Sequence, residues 1–443
     1  MRRTLLAAAL LASLAACQKA ETPTPPTAPA DGAATAEAAD PAADARFAEL
    51  SQRALDTWMR LSPTFATSVG EHRYDGELDD LSAEGRQRSL DARKQLLAEL
   101  EAIDVARLSR ENQVDAAILR NKLEADIWNA EVLQSWAWDP LYYNGLAGGA
   151  IYDLMAREFA PLPDRLRSAT SRMEKLPALL AQARANLDPA RVPKVHAETV
   201  ARQNRGILNI VDSFIVPHAA ALPEADRARL EAAIAELRQA VAGHQQWLEQ
   251  TLVPNAAGDF RLGAEHYDQK LKFSLNSSLS RAEIRQRAEA ELARVRGEMY
   301  GIARTVLKDR PGAPPLPETP DDAQRQAAIE AALELAYAER PARGEVVDAA
   351  RAALDQATAF VREHDLVTLP DAPVEIILMP EFQRGVAVAY CDSPGPLDKN
   401  LKTFYAVSPI PEDWSQEQVD SFLREYNSRM IHLLSIHEGT PGH

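Results

Sequence analysis

Residues 415–443 read SQEQVDSFLREYNSRMIHLLSIHEGTPGH. Ser415 and Gln418 fit a capping box, in which two side chains satisfy the first free N–H groups of a helix. Apolar residues then recur at three- and four-residue intervals, the spacing of one helix face: Val419, Phe422, Leu423, Tyr426, Met430, Leu433 and Leu434. His437 is the next position on this stripe. The stretch therefore predicts a core-facing helix that carries a histidine near its end.

The same periodicity extends through most of the chain, which has 443 residues. It covers residues 83–133, 164–187, 192–217, 223–252, 280–307, 322–338 and 344–364, and it predicts a mostly α fold. No fixed-period repeat is present, so a solenoid is not expected. The helical pattern is interrupted at 259–263 with the following 267–273, and again at 373–410. In the second interruption, segments 374–378, 386–390 and 403–407 are rich in β-branched and aromatic residues and predict a small antiparallel β-sheet.

The sequence His437-Glu438-Gly-Thr-Pro-Gly-His443 contains the residue types of a zinc protease helix. Such a helix needs two imidazoles on one metal and a carboxylate that takes a proton from the bound water. Histidines six residues apart face different ways on a regular helix, about 240° apart. Pro441, however, has no N–H for the carbonyl of His437 and disfavours helical geometry at Thr440. A distorted helix end would bring His443 back beside His437, with Glu438 near the open coordination position.

A plainer interpretation of the same residues stays open from geometry alone. The helix would end in a Pro-Gly turn, with His437 a satisfied core histidine and Glu438 a solvated surface acid. Other candidates carry less weight in the pattern. His432 lies about 140° from His437 on a regular helix, core packing is the simpler role for Tyr390 and Tyr405, and no spacing selects Glu375 or Glu381 as a ligand.

The whole motif resembles the signature His-Glu-x-x-Pro-Gly-His of the DUF885 family of bacterial proteins, which are related in fold to gluzincin-type zinc metallopeptidases. Weaker supporting stretches occur in the expected order at residues 63, 70–75, 138–141, 176–177, 186–187 and 260–267. The resemblance implies a multi-helix, gluzincin-like architecture with a deep cleft, one zinc ion and hydrolysis of peptide or peptide-like bonds. It assigns His437 and His443 as metal ligands and Glu438 as general base.

The third ligand of such sites is, by the same resemblance, a Glu on a later helix. The sequence stops at His443, so we expect the chain to be truncated at its C-terminus. Either the natural protein continues, or this form lacks a complete metal site.

The N-terminus predicts export. Arg2 and Arg3 precede an apolar stretch at 5–14, and Leu-Ala-Ala-Cys17 follows, which is the layout of a signal peptide. The last four residues resemble a bacterial lipobox, so Cys17 is predicted to be acylated. We assign residues 1–16 to the signal peptide, 17–45 to the lipidated Cys and a disordered Ala/Pro/Thr tether, and 46–443 to the helical domain. The predicted location is a lipoprotein facing the periplasm, with Gln18 favouring the outer membrane.

Composition excludes several classes of function. The chain has 65 acidic and 49 basic residues, a formal charge of −16 and no basic stripe, which argues against nucleic acid as a partner. Beyond residue 16 no apolar run approaches the length of a transmembrane helix. With Cys17 acylated, Cys391 is the only cysteine left, so no intramolecular disulfide is expected. No G-x-S-x-G elbow, Walker loop or dinucleotide fingerprint is present.

The sequence and the family resemblance thus predict a lipid-anchored zinc hydrolase, a peptidase or carboxypeptidase-like enzyme with a peptide substrate. Membrane contact is expected through the lipid anchor only. Two alternatives stay open: a non-catalytic helical lipoprotein that binds peptides or envelope components, and a metal-dependent hydrolase of non-peptide amides.

Overall fold

The computed structural model describes residues 39–369 and 374–442, and these residues are mostly α-helical as predicted. The N-terminal helices are α1 (Pro41–Leu61), α2 (Pro63–Ser68), α3 (Ala83–Glu101), α4 (Arg110–Trp128), α5 (Pro140–Met155), α6 (Leu162–Asn186), α7 (Lys194–Gln203), α8 (Gly206–Ile210), α9 (Glu224–Trp247) and α10 (Val253–Asn255). They are followed by α11 (Gly263–Leu275), α12 (Arg281–Leu307), α13 (Asp322–Ala338), α14 (Val346–His364), β1 (Glu375–Leu378), β2 (Ala389–Asp392), β3 (Phe404–Val407), α15 (Gln416–Glu425) and α16 (Ser428–Glu438).

Helix α1 begins inside the segment that the sequence predicts to be tether. Asp40 caps the helix by accepting a hydrogen bond from the N–H of Ala42, and Pro41 occupies the first turn, where a missing N–H costs nothing. Ala43 is already buried. Residues 41–45, which the sequence assigns to the tether, are therefore part of helix α1. The predicted signal peptide, Cys17 and the rest of the predicted tether lie outside the described residues.

The interruption predicted at 267–273 is wrong, because these residues are part of helix α11. The aromatic residues that weakened the helical pattern make tertiary contacts instead. The ring of Phe273 lies 5.8 Å from that of Trp128, and its carbonyl accepts a 3.0 Å hydrogen bond from the Asn121 side chain. Contact with α4 thus decides the conformation here, and local propensity does not.

Helices α5, α6 and α9 form the largest hydrophobic core, with Ile151, Leu166 and Leu237 fully buried in it. Arg172 on α6 is also fully buried. Its guanidinium donates to the carbonyls of Glu77, Ala150 and Pro63 and to the Thr67 hydroxyl. Because a buried cation needs all its donors satisfied, this side chain fixes α6 against both α2 and α5.

The sheet is mixed, and the prediction of an antiparallel sheet is wrong for one of its two pairings. The strand order is β1-β3-β2. β2 pairs antiparallel with β3, whereas β1 pairs parallel with β3, with Glu375 opposite Phe404. Strand direction alternates along the chain, and β3 inserts between the other two. The first and third strands, which run the same way, are therefore neighbours.

The single helix predicted from residue 415 is two helices, α15 and α16, separated at Tyr426 and Asn427. The Asn427 side chain caps α16 by accepting hydrogen bonds from the N–H groups of Arg429 and Met430. The break turns the second helix about its axis, so that Ile431 is buried while Leu433 is 61% exposed. The apolar stripe read from the sequence therefore does not continue across Asn427.

Helix α16 packs against α14 and the sheet. Leu354 of α14, Tyr405 and Val407 of β3 and Ile431 of α16 belong to one buried cluster. This packing sets the C-terminal end of α16 beside β2. Within residues 39–369 and 374–442, no helix combines the length and the apolar character needed to cross a membrane.

Candidate active site

The last turn of α16 carries His437 and Glu438, and their side chains lie in different environments. The His437 side chain is 67% exposed, whereas that of Glu438 is 12% exposed. The plainer interpretation from the sequence expected a buried histidine and a solvent-exposed acid. The structure shows the opposite for both side chains. His437 lies at the surface, and the carboxylate is the buried member of the pair.

The Glu438 carboxylate is held by the neighbouring strand. The N–H of Cys391, on the outer edge of β2, donates a 3.0 Å hydrogen bond to Glu438 Oε2. Glu438 Oε1 lies 4.0 Å from His437 Nε2. A main-chain donor on a sheet has little freedom to move, so the contact fixes the orientation of the carboxyl group.

The chain turns back immediately after the helix. Helix α16 ends at Glu438, and the N–H of Gly439 donates to the carbonyl of Ser435. The N–H of Gly442 then donates a 3.0 Å hydrogen bond to the carbonyl of Ile436. A Cβ on Gly442 would lie 2.1 Å from the carbonyl oxygen of His437, so only glycine permits this approach.

The helix thus ends at Glu438 and the chain turns back before Gly442, a course that both sequence interpretations of the motif allow. Gly442 lies against the carbonyl of His437, and residue 443 follows it directly. Two of the residues proposed from the sequence, His443 as metal ligand and Cys17 as lipidation site, lie outside the described residues. Their predicted roles stay predictions.

The two tyrosines near the site are held in hydrogen bonds to other side chains. Tyr405 on β3 is buried, and its hydroxyl accepts a hydrogen bond from Ser435 of α16. Burial raises the pKa of Tyr405, which keeps its hydroxyl neutral. The Tyr390 hydroxyl donates to the side chain of Gln383. Both contacts agree with a packing role.

A polar network around Asp392 of β2 was not found from the sequence. Asp392 forms a 2.8 Å ion pair with Arg157 and accepts a 2.9 Å hydrogen bond from the Tyr152 hydroxyl. The Arg157 guanidinium also lies 4.6 Å from the centre of the Phe404 ring. Asp392 is 235 residues from Arg157 in the sequence, so no local pattern could have paired them.

The network also changes the acidity of a neighbouring carboxyl group. Burial, together with the nearby charge of Asp392, raises the pKa of Asp153 to about 7. Since Asp153 and Tyr152 are both on α5, this helix presents a hydroxyl and a weakly acidic carboxyl group to the strand that holds Glu438.

No three His, Cys, Asp or Glu side chains among residues 39–369 and 374–442 are grouped so that they could hold a metal ion. The described part of the chain contributes His437 and Glu438 to the predicted site. Glu375 forms an ion pair with Lys402, and Glu381 accepts a hydrogen bond from Asn209. Neither contact brings these two acids to His437.

Comparison with known proteins identifies the family. The DUF885 family, described as a bacterial protein of unknown function, matches residues 63–443. A solved structure from Shewanella oneidensis, described as a "putative lipoprotein of unknown function", has a TM-score of 0.66 and 31% sequence identity. The similarity covers 90% of this chain and 70% of that chain. Among curated proteins, none matches the chain. The chain belongs to the DUF885 family, as its terminal motif predicts.

Proposed function

We propose that this member of the DUF885 family is an exported, lipid-anchored zinc hydrolase that cleaves peptide bonds. The observation that carries the proposal is the end of α16. A buried carboxylate, oriented by a strand N–H, lies there beside an exposed imidazole. The chain then turns back so that Gly442 contacts the carbonyl of His437.

These residues fit the donors that zinc takes in catalytic sites, which are imidazole nitrogens and carboxylate oxygens with one position left for water. His437 would be one ligand and His443 the second. A third protein ligand is required, and we propose a Glu in that role from the resemblance to gluzincins. When bound, the metal would polarise a water molecule and the scissile carbonyl group.

Glu438 would move the proton in this reaction. Because Cys391 holds Oε2, the carboxyl group keeps Oε1 on the side of His437. Glu438 accepts a proton from the attacking water as the water oxygen bonds to the carbonyl carbon. It returns that proton to the amine nitrogen as the C–N bond breaks, so the carboxylate is regenerated.

Lipid attachment at Cys17 and a periplasmic location are parts of the same proposal. The lipobox-like sequence at 14–17 supports them, and so does similarity to a protein described as a lipoprotein. With several acyl chains on one cysteine, membrane attachment would be effectively stable. The enzyme would then meet peptides within reach of its tether.

The test compares peptide turnover in the full-length protein with that of Glu438→Gln. The variant keeps the size and the hydrogen-bond acceptor of the side chain but cannot take a proton. Turnover should fall by about a hundredfold or more, while bound zinc stays unchanged. Glu425→Gln, an exposed acid on α15, is the matched control and should keep full activity. Peptide cleavage that survives Glu438→Gln would contradict the role of Glu438.

A further inference from the structure

Arg157 follows helix α5 and connects this part of the chain with two strands of the sheet. Its side chain is 10% exposed, and that of its partner Asp392 is 16% exposed. Arg157 Nη2 donates to the carbonyl of Asp392 and, over 2.8 Å, to Asp392 Oδ1. Arg157 Nε donates a 2.8 Å hydrogen bond to the carbonyl of Lys402. One side chain therefore holds both the last residue of β2 and the segment that leads into β3.

Both oxygens of the Asp392 carboxylate have donors. Arg157 donates to Oδ1, and the Tyr152 hydroxyl of α5 donates a 2.9 Å hydrogen bond to Oδ2. The Arg157 guanidinium also lies 4.6 Å from the centre of the Phe404 ring, and Phe404 is the residue opposite Asp392 in the pairing of β2 with β3. Because hydrogen bonds to ionised groups are stronger than those between neutral groups, these contacts restrict the end of β2.

Cys391, whose N–H holds Glu438, directly precedes Asp392. The N–H of Ser408 donates to the carbonyl of Val388, and in an antiparallel pair the residues that face the partner strand alternate. Cys391 is three positions after Val388, so its N–H points away from β3 and donates to Glu438. Strand β2 has four residues and lies at the edge of the sheet. A displacement of this short strand at Asp392 would therefore also move the Cys391 N–H.

We propose that Arg157 is a positioning residue for Glu438 and acts through Asp392 and the Cys391 N–H. This inference rests on the proposed function, in which Glu438 moves a proton from water to the leaving amine. A general base must lie within hydrogen-bond reach of the proton that it takes. A displacement of about 1 Å caused by a residue far from the chemistry can lower the rate about a hundredfold. Arg157 orients the carboxylate and takes no part in the proton transfer.

A spectroscopic test follows the Cys391 N–H and does not require turnover. The sequence contains two cysteines, Cys17 and Cys391, so ¹⁵N-labelled cysteine in the full-length protein gives few amide signals. Cys391→Ser identifies the signal of interest. Glu438→Ala removes the acceptor and so gives the position of this signal without the hydrogen bond.

We expect Arg157→Met to move the Cys391 signal about half of the way toward its position in Glu438→Ala, because the hydrogen bond loses its alignment. Tyr152→Phe removes one donor to Asp392 but keeps the ring, and it should move the signal less in the same direction. Arg157→Lys keeps the charge and a donor for Asp392 and should restore most of the parent position. Arg93→Met is the control. It removes an ion pair with Asp126 whose side chains are 19% and 21% exposed, on helices that do not contain the site.

Turnover shows whether this alignment affects the reaction. In a protein that cleaves peptides, Arg157→Met should lower kcat about tenfold or more and leave KM within about twofold, because a misplaced base weakens transition-state stabilisation and leaves substrate binding intact. Arg157→Lys should recover part of the lost kcat, and Arg93→Met should keep the parent value.

The proposal is overturned if the Cys391 signal keeps its parent position in both Arg157→Met and Tyr152→Phe, or in Tyr152→Phe alone where Arg157→Met does not fold. It is also overturned if Arg93→Met moves the signal as far, or if the signal moves while an active protein keeps its full kcat. A parent protein that cleaves no peptide contradicts the proposed reaction instead. The Cys391 signal then still decides whether Arg157 positions the carboxylate.

Discussion

At the scale of single residues, His244 is a buried histidine far from the α16 site in the sequence. It is 4% exposed on α9, stacks on Trp247 and lies 3.4 Å from an Arg184 nitrogen. Burial, with a further contribution from the Arg184 charge, lowers the pKa of His244 to about 4. The folded protein therefore keeps this imidazole neutral at a pH where the unfolded chain protonates it.

The difference between the His244 pKa in the folded and unfolded states decides whether stability rises or falls with pH. Between about pH 6.5 and pH 4 the unfolded state binds the proton and the folded state does not, so the free energy of unfolding falls as the pH decreases through this range. We expect His244→Phe to reduce the loss of stability between pH 7 and pH 5 by about 2 kcal/mol, at 1.36 kcal/mol per pK unit. Denaturant unfolding at pH 7 and at pH 5 measures this loss of stability in each protein.

His218 is exposed and provides the control. His218→Phe should leave the pH dependence of unfolding as it is in the parent protein. An equal pH dependence in His244→Phe and the parent protein would show that His244 is not held neutral by its surroundings.

At the scale of secondary structure, the helix that carries the site depends on its cap. Asn427 is buried, accepts from two N–H groups of the first turn of α16 and donates to the carbonyl of Arg424. Asn427→Ala should lower the free energy of unfolding by about 1–2 kcal/mol. Asn427→Ser keeps a capping oxygen and should lose less. Equal stability of the alanine and serine variants would contradict the role of the cap.

Helices were predictable where apolar spacing alone decides them, as in α9, α12 and α14. The sequence could not locate the break at Asn427, because apolar residues keep helical spacing on both sides of it. Strand positions at 374–378 and 403–407 were found from β-branched and aromatic residues, but the order of strands was not. The insertion of β3 between β1 and β2 depends on contacts between segments that are distant in the chain.

The candidate site also combines residues that a local sequence pattern identifies with contacts that only the fold creates. His437 and Glu438 belong to a local motif and could be read directly. The N–H of Cys391 has no signature in the sequence, because every residue except proline carries such a donor. Arg157 and Asp392 are 235 residues apart in the sequence, so only the folded chain brings them together.

At the scale of the whole molecule, the end of α16 places a buried carboxylate beside an exposed imidazole. The acidic balance of the chain, −16 with neutral histidines, favours solubility and has little bearing on mechanism. The proposed zinc ion would connect the sequence motif with the proposed reaction.

The most direct test is the zinc content of the full-length protein purified from its own cells, measured by mass spectrometry of the metal. We predict about one zinc ion per chain, as in single-metal catalytic sites. We also predict loss of that ion in His437→Ala and its retention in His432→Ala, a change on the same helix. Native protein without zinc, or full zinc occupancy in His437→Ala, would contradict the assignment of this site as a metal centre.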